Sequence, residues 1–129
     1  MTCLLDANVV IALVVANHEH HARVTRWIAS AGPVAGCPVV EGALVRFLVR
    51  TGESGATAGE VVRRLRNAPA YEFWPDGLSY GDVDLDRVLG HRQVTDAYLA
   101  ALARSRSGSL ATLDEGLARI HGDVALLVP

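Results

Sequence analysis

Short apolar runs along the chain alternate with longer segments of helical periodicity, which predicts β-strands separated by α-helices. Alternation of this kind is typical of an α/β fold with a parallel sheet. No repeat, linker or low-complexity tract interrupts it. The predicted strands are Thr2–Leu5, Val34–Cys37, Tyr71–Trp74, Leu110–Leu113 and Val124–Val128.

The helix boundaries follow from start and stop residues. Pro38 suits the first turn of a helix that ends near Gly52. Thr57 and Glu60 have the spacing of a capping box, and Gly108 suits the end of the preceding helix. The predicted helices are Asn8–Ala16, Ala22–Ala29 (with Val24, Trp27 and Ile28 on one face), Val39–Arg50, Thr57–Asn67, Asp82–Leu89, Thr95–Arg106 and Glu115–His121.

Length and composition favour one compact domain spanning residues 1–129, since half of its 129 residues are hydrophobic. The net charge of −2 argues against bulk attraction of nucleic acid, so any RNA site must be local. Val9–Ala16 is too short to span a bilayer, and Asp6 interrupts any signal-peptide core. We therefore expect a cytoplasmic protein in which Cys3 and Cys37 are reduced and buried.

Acidic side chains fall at the ends of predicted strands and the starts of predicted helices. Asp6 and Asp114 directly follow strands, whereas Glu41 and Asp96 lie in helix first turns. Each aspartate alone could be a helix cap or a first-turn acid. Because strand ends and helix starts of a parallel sheet open at one edge, all four carboxylates could instead converge there.

Glu41 fits a purely structural role less well than the aspartates do. The residues three, four and seven positions later are Leu44, Val45 and Leu48, so its carboxylate is aligned with a core-facing stripe. A buried carboxylate requires a cation, an arginine or a proton. Arg46 is one candidate partner within the protein.

Four carboxylates at one edge would repel one another unless a cation neutralised them. Mg²⁺ fits, because it prefers oxygen ligands and binds together with waters and substrate phosphates. Such an ion can lower the pKa of a bound water and stabilise a leaving oxygen at a phosphodiester. Mn²⁺ is expected to substitute.

Four segments, in order along the chain, resemble the motifs of the PIN-domain nucleases, and the resemblance covers essentially the whole sequence. Any one of the four would be weak evidence, whereas all four at suitable separations are a strong signal. Leu117 departs from the pattern because many members carry an aromatic residue there, and Glu115 adds an acid without an assigned role. The matching segments are Leu4–Val9, Glu41 with Arg46-Phe47, Thr95–Ala103 and Ala111–Asp114.

The resemblance implies a three-layer α/β/α sandwich around a short, mostly parallel sheet. It implies that Asp6, Glu41, Asp96 and Asp114 form an acidic metal pocket, with Asn8 and Thr112 as supporting polar groups. A stand-alone domain of this length looks like the VapC-type toxins, which are homodimers held inactive by a cognate antitoxin protein.

Other chemistry is less favoured. Phosphotransferases that use an aspartate after the first strand typically need a lysine, and the chain contains none. His18, His20 and His21 are more consistent with a helix start or surface than with a metal site. His91 and Arg92 suit a solvated loop, although they could contact a phosphate. The arginines of the fourth predicted helix could either guide RNA or line an ordinary exposed face: Arg63, Arg64 and Arg66.

The resulting hypothesis is Mg²⁺-dependent endonucleolytic hydrolysis of RNA by the toxin of a toxin–antitoxin pair. Asp6, Asp96 and Asp114 are the predicted metal ligands, and Glu41 is a ligand or a water-positioning base. Two alternatives stay open: a catalytically inactive PIN-like binding module, and a metal-dependent nuclease outside toxin–antitoxin systems.

Overall fold

The computed structural model describes residues 1–129 and contains a five-stranded sheet. All neighbouring strands are parallel, in the order β3-β2-β1-β4-β5. The predicted parallel sheet is therefore confirmed, with β1 at its centre. The strands are β1 (Cys3–Leu5), β2 (Val34–Gly36), β3 (Tyr71–Phe73), β4 (Ser109–Thr112) and β5 (Ala125–Leu127).

Six α-helices connect these strands. The first contacts the second and third, and the third contacts the fourth, while the last two contact strands on the β4 side of the sheet. Because crossovers between parallel strands are right-handed, the strand order puts the first four helices on one face and the last two on the other. The helices are α1 (Ala7–Val14), α2 (His21–Ile28), α3 (Pro38–Arg50), α4 (Gly55–Arg66), α5 (Val94–Ser105) and α6 (Glu115–Ile120).

The three layers enclose one large core of 24 buried residues. Leu4 and Leu5 of β1 and Leu110 of β4 are completely buried, as expected for central strands covered on both faces. Cys3 and Cys37 are free and buried, as the sequence indicated. No helix is both long enough and apolar enough to span a membrane.

The predicted start of α4 was wrong by about half a turn. Ser54, not Thr57, is the N-cap, because its hydroxyl accepts a hydrogen bond from the Thr57 amide at 3.0 Å. Glu60 instead pairs with Arg63 at 3.0 Å. Ser54 directly precedes Gly55, the first residue of α4, so its hydroxyl caps the helix three residues before the predicted capping box at Thr57 would.

The predicted helix over Asp82–Leu89 was also wrong. Only a 3-10 turn, Tyr80–Asp82, forms there, and the chain is then irregular up to a second 3-10 turn at His91–Gln93. Asp84 accepts a hydrogen bond from the amide of Asp86 at 2.9 Å, which gives the backbone an alternative to helical pairing. Leu85 and Leu89 are 42 % and 90 % exposed, so both leucines of the predicted helix are left outside the core.

Gly108 lies beyond the end of α5 at Ser105, and this position is glycine for a reason other than backbone conformation. Its amide donates to the carbonyl of Ala103 at 2.9 Å, but the left-handed residue is the preceding Ser107, with φ of 54°. A Cβ atom at Gly108 would lie 2.6 Å from the carbonyl oxygen of Thr2. Glycine is therefore required because β4 passes close to the start of β1.

Candidate active site

Three of the predicted acids lie at the carboxyl edge of the sheet. Asp6 follows β1 and Asp114 lies just beyond β4, and these two strands pair directly. The amide of Asp6 donates to the carbonyl of Ala111 at 2.9 Å, which ties the two strand ends together. Asp96 enters from the first turn of α5. The topology thus brings together side chains that are far apart in sequence.

The Asp6 carboxylate is held on both oxygens. The side chain is only 7 % exposed. One oxygen accepts from the Ala7 amide at 2.7 Å, and the other accepts from the Thr112 hydroxyl at 2.7 Å. Burial raises the pKa of Asp6, these hydrogen bonds oppose that shift, and the charge of Asp114 adds to it.

Thr112 is the centre of the hydrogen-bond network at this edge. Its completely buried hydroxyl donates to Asp6 and accepts from the amide of Asp114 at 3.0 Å. The side-chain amide of Asn8 also donates to it at 3.4 Å, while the Asn8 oxygen accepts from the amide of Leu113 at 3.1 Å. Asn8 and Thr112 therefore lie beside Asp6 and Asp114.

Asp114 is exposed and serves as the N-cap of α6. Its Oδ1 atom accepts hydrogen bonds from the amides of Gly116 and Leu117, at 2.8 and 3.2 Å. The structural interpretation of this residue thus holds, but it uses only one carboxylate oxygen. The other oxygen accepts no hydrogen bond from the protein.

Asp96 differs from both of its neighbours because it is half-buried and forms neither a hydrogen bond nor an ion pair. Burial, and then the charges of Asp6 and Asp114, raise the pKa of Asp96 to about 6. Groups with strongly perturbed pKa values cluster at functional sites. Asp96, a carboxylate among like charges and without a protein partner, is such a group.

No positive side chain neutralises this cluster. The only ion pairs in the structure are His20–Glu19, Arg63–Glu60, Arg87–Asp123 and Arg104–Asp123. No three histidine, cysteine, aspartate or glutamate side chains are arranged so that they could hold a metal ion by themselves. The donor set of carboxylate oxygens nevertheless suits Mg²⁺, which is commonly held by one or two carboxylates together with waters and substrate phosphates.

The fourth predicted acid, Glu41, belongs to a neighbouring group. It lies in the first turn of α3, where its Oε2 atom accepts a hydrogen bond from the hydroxyl of Tyr71 at 3.3 Å. Burial raises the pKa of Glu41, the Tyr71 hydrogen bond and the charge of Arg66 lower it, and the charge of Asp76 raises it. The structure therefore brings three of the four acids together and places Glu41 on its own side of the site.

Arg46, one candidate partner for Glu41, does not pair with it. Arg46 is exposed and forms no ion pair or hydrogen bond. On α3 it follows Glu41 by five residues, so the two side chains do not lie on the same face of the helix. The groups that act on Glu41 come from β3 and α4 instead.

Sequence reasoning missed Tyr71 and Asp76. The charge of Asp76 acts on Glu41, Cys37 and Tyr98. Asp76 lies shortly after β3, just as Asp6 and Asp114 lie after β1 and β4. The strand-end position that indicated those two aspartates could therefore have indicated Asp76. Tyr71 carries no such signal, because nothing in a strand sequence shows which helix its hydroxyl will reach.

The remaining candidates lie away from the aspartates or have structural roles. His18 accepts from the amide of His20 at 3.0 Å, and His21, the first residue of α2, contacts the carbonyl of Ala12 in α1 at 2.8 Å. His91 and Arg92 are exposed. Leu117 is buried in the core and Glu115 is exposed.

The architecture and the acidic edge define a class of protein, and comparison with known families agrees. Residues 3–123 match the family model described as the PIN domain. The chain therefore belongs to the PIN-domain family, and the three-layer α/β/α fold predicted for it is confirmed.

Curated relatives narrow the class. The chain is 59 % identical to Ribonuclease VapC29 of Mycobacterium tuberculosis, and the match covers 100 % of this chain and 98 % of that protein. It is 38 % identical to Ribonuclease VapC39 of the same species, over 92 % of each chain. The resemblance to VapC-type PIN ribonucleases is confirmed by these matches.

Solved structures share the fold at low sequence identity. VapC20 of M. tuberculosis, described as a Sarcin-Ricin loop cleaving toxin, matches with a TM-score of 0.70 and 16 % identity, over 92 % of this chain and 94 % of that one. VapBC2 of Rickettsia felis, bound to a DNA fragment from its promoter, matches with a TM-score of 0.69 and 14 % identity over the full length of both chains.

Proposed function

We propose that this chain, a single PIN domain over residues 1–129, is the toxin of a toxin–antitoxin pair and acts in the cytoplasm as a Mg²⁺-dependent endoribonuclease. The observation that carries the proposal is the Asp96 carboxylate, which is half-buried beside Asp6 and Asp114 and has no partner in the protein. Family membership supplies the reaction class, since the relatives of highest identity described above are named ribonucleases.

Three aspartates are proposed to hold the ion together with water molecules, since they do not form a complete set of ligands by themselves. Asp96 offers both oxygens, Asp114 offers the oxygen that the α6 amides leave open, and Asp6 is fixed in place by Thr112 and Ala7. When bound with its waters and a substrate phosphate, Mg²⁺ would stabilise negative charge at the phosphodiester and lower the pKa of a water. Glu41 is proposed as a further ligand or as the base that orients the attacking water.

The proposed partners are an RNA substrate, a cognate antitoxin and a second copy of the chain. An antitoxin partner is proposed because the relatives described above are VapC proteins and the VapC20 structure is described as that of a toxin. Mn²⁺ is expected to replace Mg²⁺. The homodimer stays a prediction, which light scattering of the purified chain would test.

The experiment measures cleavage of total bacterial RNA by the purified chain with Mg²⁺ or with EDTA. Asp96→Asn removes the charge without breaking any protein hydrogen bond, so it should lower the cleavage rate on the order of a thousandfold or more while the chain stays folded. Asp86→Asn, at an exposed carboxylate outside the site, is the matched control and should cleave at the wild-type rate.

Three results would contradict the proposal. Cleavage that persists in EDTA or in the Asp96→Asn variant would exclude the metal site. A folded wild-type chain that neither binds Mg²⁺ nor cleaves RNA would favour the inactive binding module. Cleavage by a chain that does not inhibit growth when expressed without an antitoxin would favour a nuclease outside toxin–antitoxin systems.

A further inference from the structure

The Tyr71 hydroxyl provides the only side-chain hydrogen bond to Glu41. The donor–acceptor distance is 3.3 Å, and the two residues are 30 positions apart, on β3 and α3. Both side chains are only partly exposed. The contact therefore restricts a carboxylate that would otherwise rotate freely in the first turn of its helix.

Gly36, the last residue of β2, makes room for this contact. A Cβ atom at that position would lie 1.8 Å from the Tyr71 hydroxyl oxygen and 2.7 Å from the ring carbon that carries it. The φ angle of Gly36 is not in the left-handed region, so its backbone does not require glycine. What requires glycine is the tyrosine that crosses it from the neighbouring strand.

The surroundings keep the hydroxyl a donor. Burial and the nearby charge of Glu41 raise the pKa of Tyr71 further above its usual range, so the phenol keeps its proton. Cys37, next to Gly36, is also kept as a thiol because burial raises its pKa to about 11. A neutral donor facing a carboxylate favours one orientation of that carboxylate without cancelling its charge.

We infer that Tyr71 is a positioning residue that holds the Glu41 carboxylate in the orientation used for RNA hydrolysis, and that Gly36 admits its hydroxyl. This inference rests on the proposed function, in which Glu41 takes part in the reaction. If Tyr71 only tied α3 to β3, losing its hydroxyl would lower stability but leave the turnover of the folded chain unchanged.

The first test is Tyr71→Phe, which removes only the hydroxyl. Misplacing a reacting group costs rate more than binding, so kcat should fall about tenfold to a hundredfold with KM for RNA within about twofold of wild type. Tyr98→Phe is the matched control, because its buried hydroxyl donates to the carbonyl of Leu78 at the same distance of 3.3 Å. It should lose a similar amount of stability and keep the wild-type kcat.

The second test moves the hydroxyl instead of removing it. Gly36→Ala should lower kcat in the same way while thermal unfolding shows a folded chain. The Gly36→Ala/Tyr71→Phe double variant should be no slower than Tyr71→Phe alone, because both changes break one contact. Full additivity of the two losses would overturn the role assigned to Gly36.

The outcomes separate this inference from the proposed function. Wild-type kcat in Tyr71→Phe, beside an inactive Asp96→Asn, would overturn the inference alone. A loss confined to KM would also overturn it, since it would make Tyr71 an RNA contact. A wild-type chain without Mg²⁺-dependent cleavage would overturn the proposed function and the inference with it.

Discussion

On the aspartate side of the candidate site (Asp6, Asp96, Asp114), three carboxylates meet without any positive group, whereas on the glutamate side (Glu41, Tyr71, Arg66) a carboxylate has a hydroxyl donor and a nearby arginine charge. The aspartate side therefore carries charge that the protein itself does not compensate. On the glutamate side, the Tyr71 hydroxyl restricts the orientation of the Glu41 carboxylate, which suits a group that must face one direction.

Within the aspartate side, Asp6 and Asp96 also differ. Asp6 is built into the fold by an amide and a buried hydroxyl, whereas no protein group bonds to Asp96. Asp6 therefore has a structural role in the fold, whereas Asp96 contributes only its charge to the site. Substitution of Asp6 should consequently lower stability, whereas substitution of Asp96 should leave it unchanged or raise it.

The largest expected effect on stability comes from Asp6→Ala. It removes the cap of α1 and leaves the Thr112 hydroxyl without its acceptor, so the free energy of unfolding should fall by about 2 to 3 kcal/mol. Asp96→Asn should leave it within about 0.5 kcal/mol of wild type or raise it, since it removes repulsion. Urea denaturation without metal measures both, and equal losses would remove the distinction between the two acids.

Thr112→Val tests the network that fixes the aspartate side. The change keeps the shape of the side chain but removes the donor to Asp6 and the acceptor for the Asp114 amide, so it should cost about 1 to 2 kcal/mol. Thr51→Val, at an exposed hydroxyl that bonds only to backbone carbonyls of its own helix, should cost at most about 0.5 kcal/mol. A larger loss at Thr51 would contradict this ranking.

The pH dependence of stability gives a smaller effect. The pKa of Asp96 is raised from 3.8 to about 6, so the folded chain binds this proton more tightly than the unfolded chain does. The free energy of unfolding should therefore fall as pH rises from about 4 to about 6, and the raised pKa values of Asp6 and Glu41 act with the same sign.

Two controls sharpen the pH measurement. Asp96→Asn should make the decline shallower, and millimolar Mg²⁺ at pH 7 should raise the stability of wild type more than that of the variant. If the free energy of unfolding falls equally with pH in wild type and in Asp96→Asn, then the neighbouring charges do not raise the pKa of Asp96.

The smallest expected effect concerns Arg66 of the glutamate side, with Arg46 as its comparison. Arg66 lowers the pKa of Glu41, whereas Arg46 does not act on it. Arg66→Ala should lower kcat/KM about two- to fivefold, as for exposed charges, and Arg46→Ala should keep it within about twofold of wild type. A larger loss at Arg46 would restore the role that its place in the sequence suggested.

The sequence alone determined the succession of strands, six of the seven predicted helices, the parallel sheet and the acids that follow β1 and β4, because each depends on local periodicity and strand-end position. Local sequence did not fix the start of α4, because Ser54 and Thr57 are both good N-caps. It also predicted a helix after Asp82, where the apolar spacing is helical but Leu85 and Leu89 stay outside the core.

The tertiary structure decided how the acids are partnered. Hydrogen bonds from Ala7 and Thr112 hold Asp6 in the fold. Asp96, in the first turn of α5, forms no hydrogen bond or ion pair with the protein. Glu41 meets Tyr71 only because β3 lies beside β2 and Gly36 leaves the space between them. Such contacts join residues from different elements, and their distances are set by how the layers pack, which no local pattern encodes.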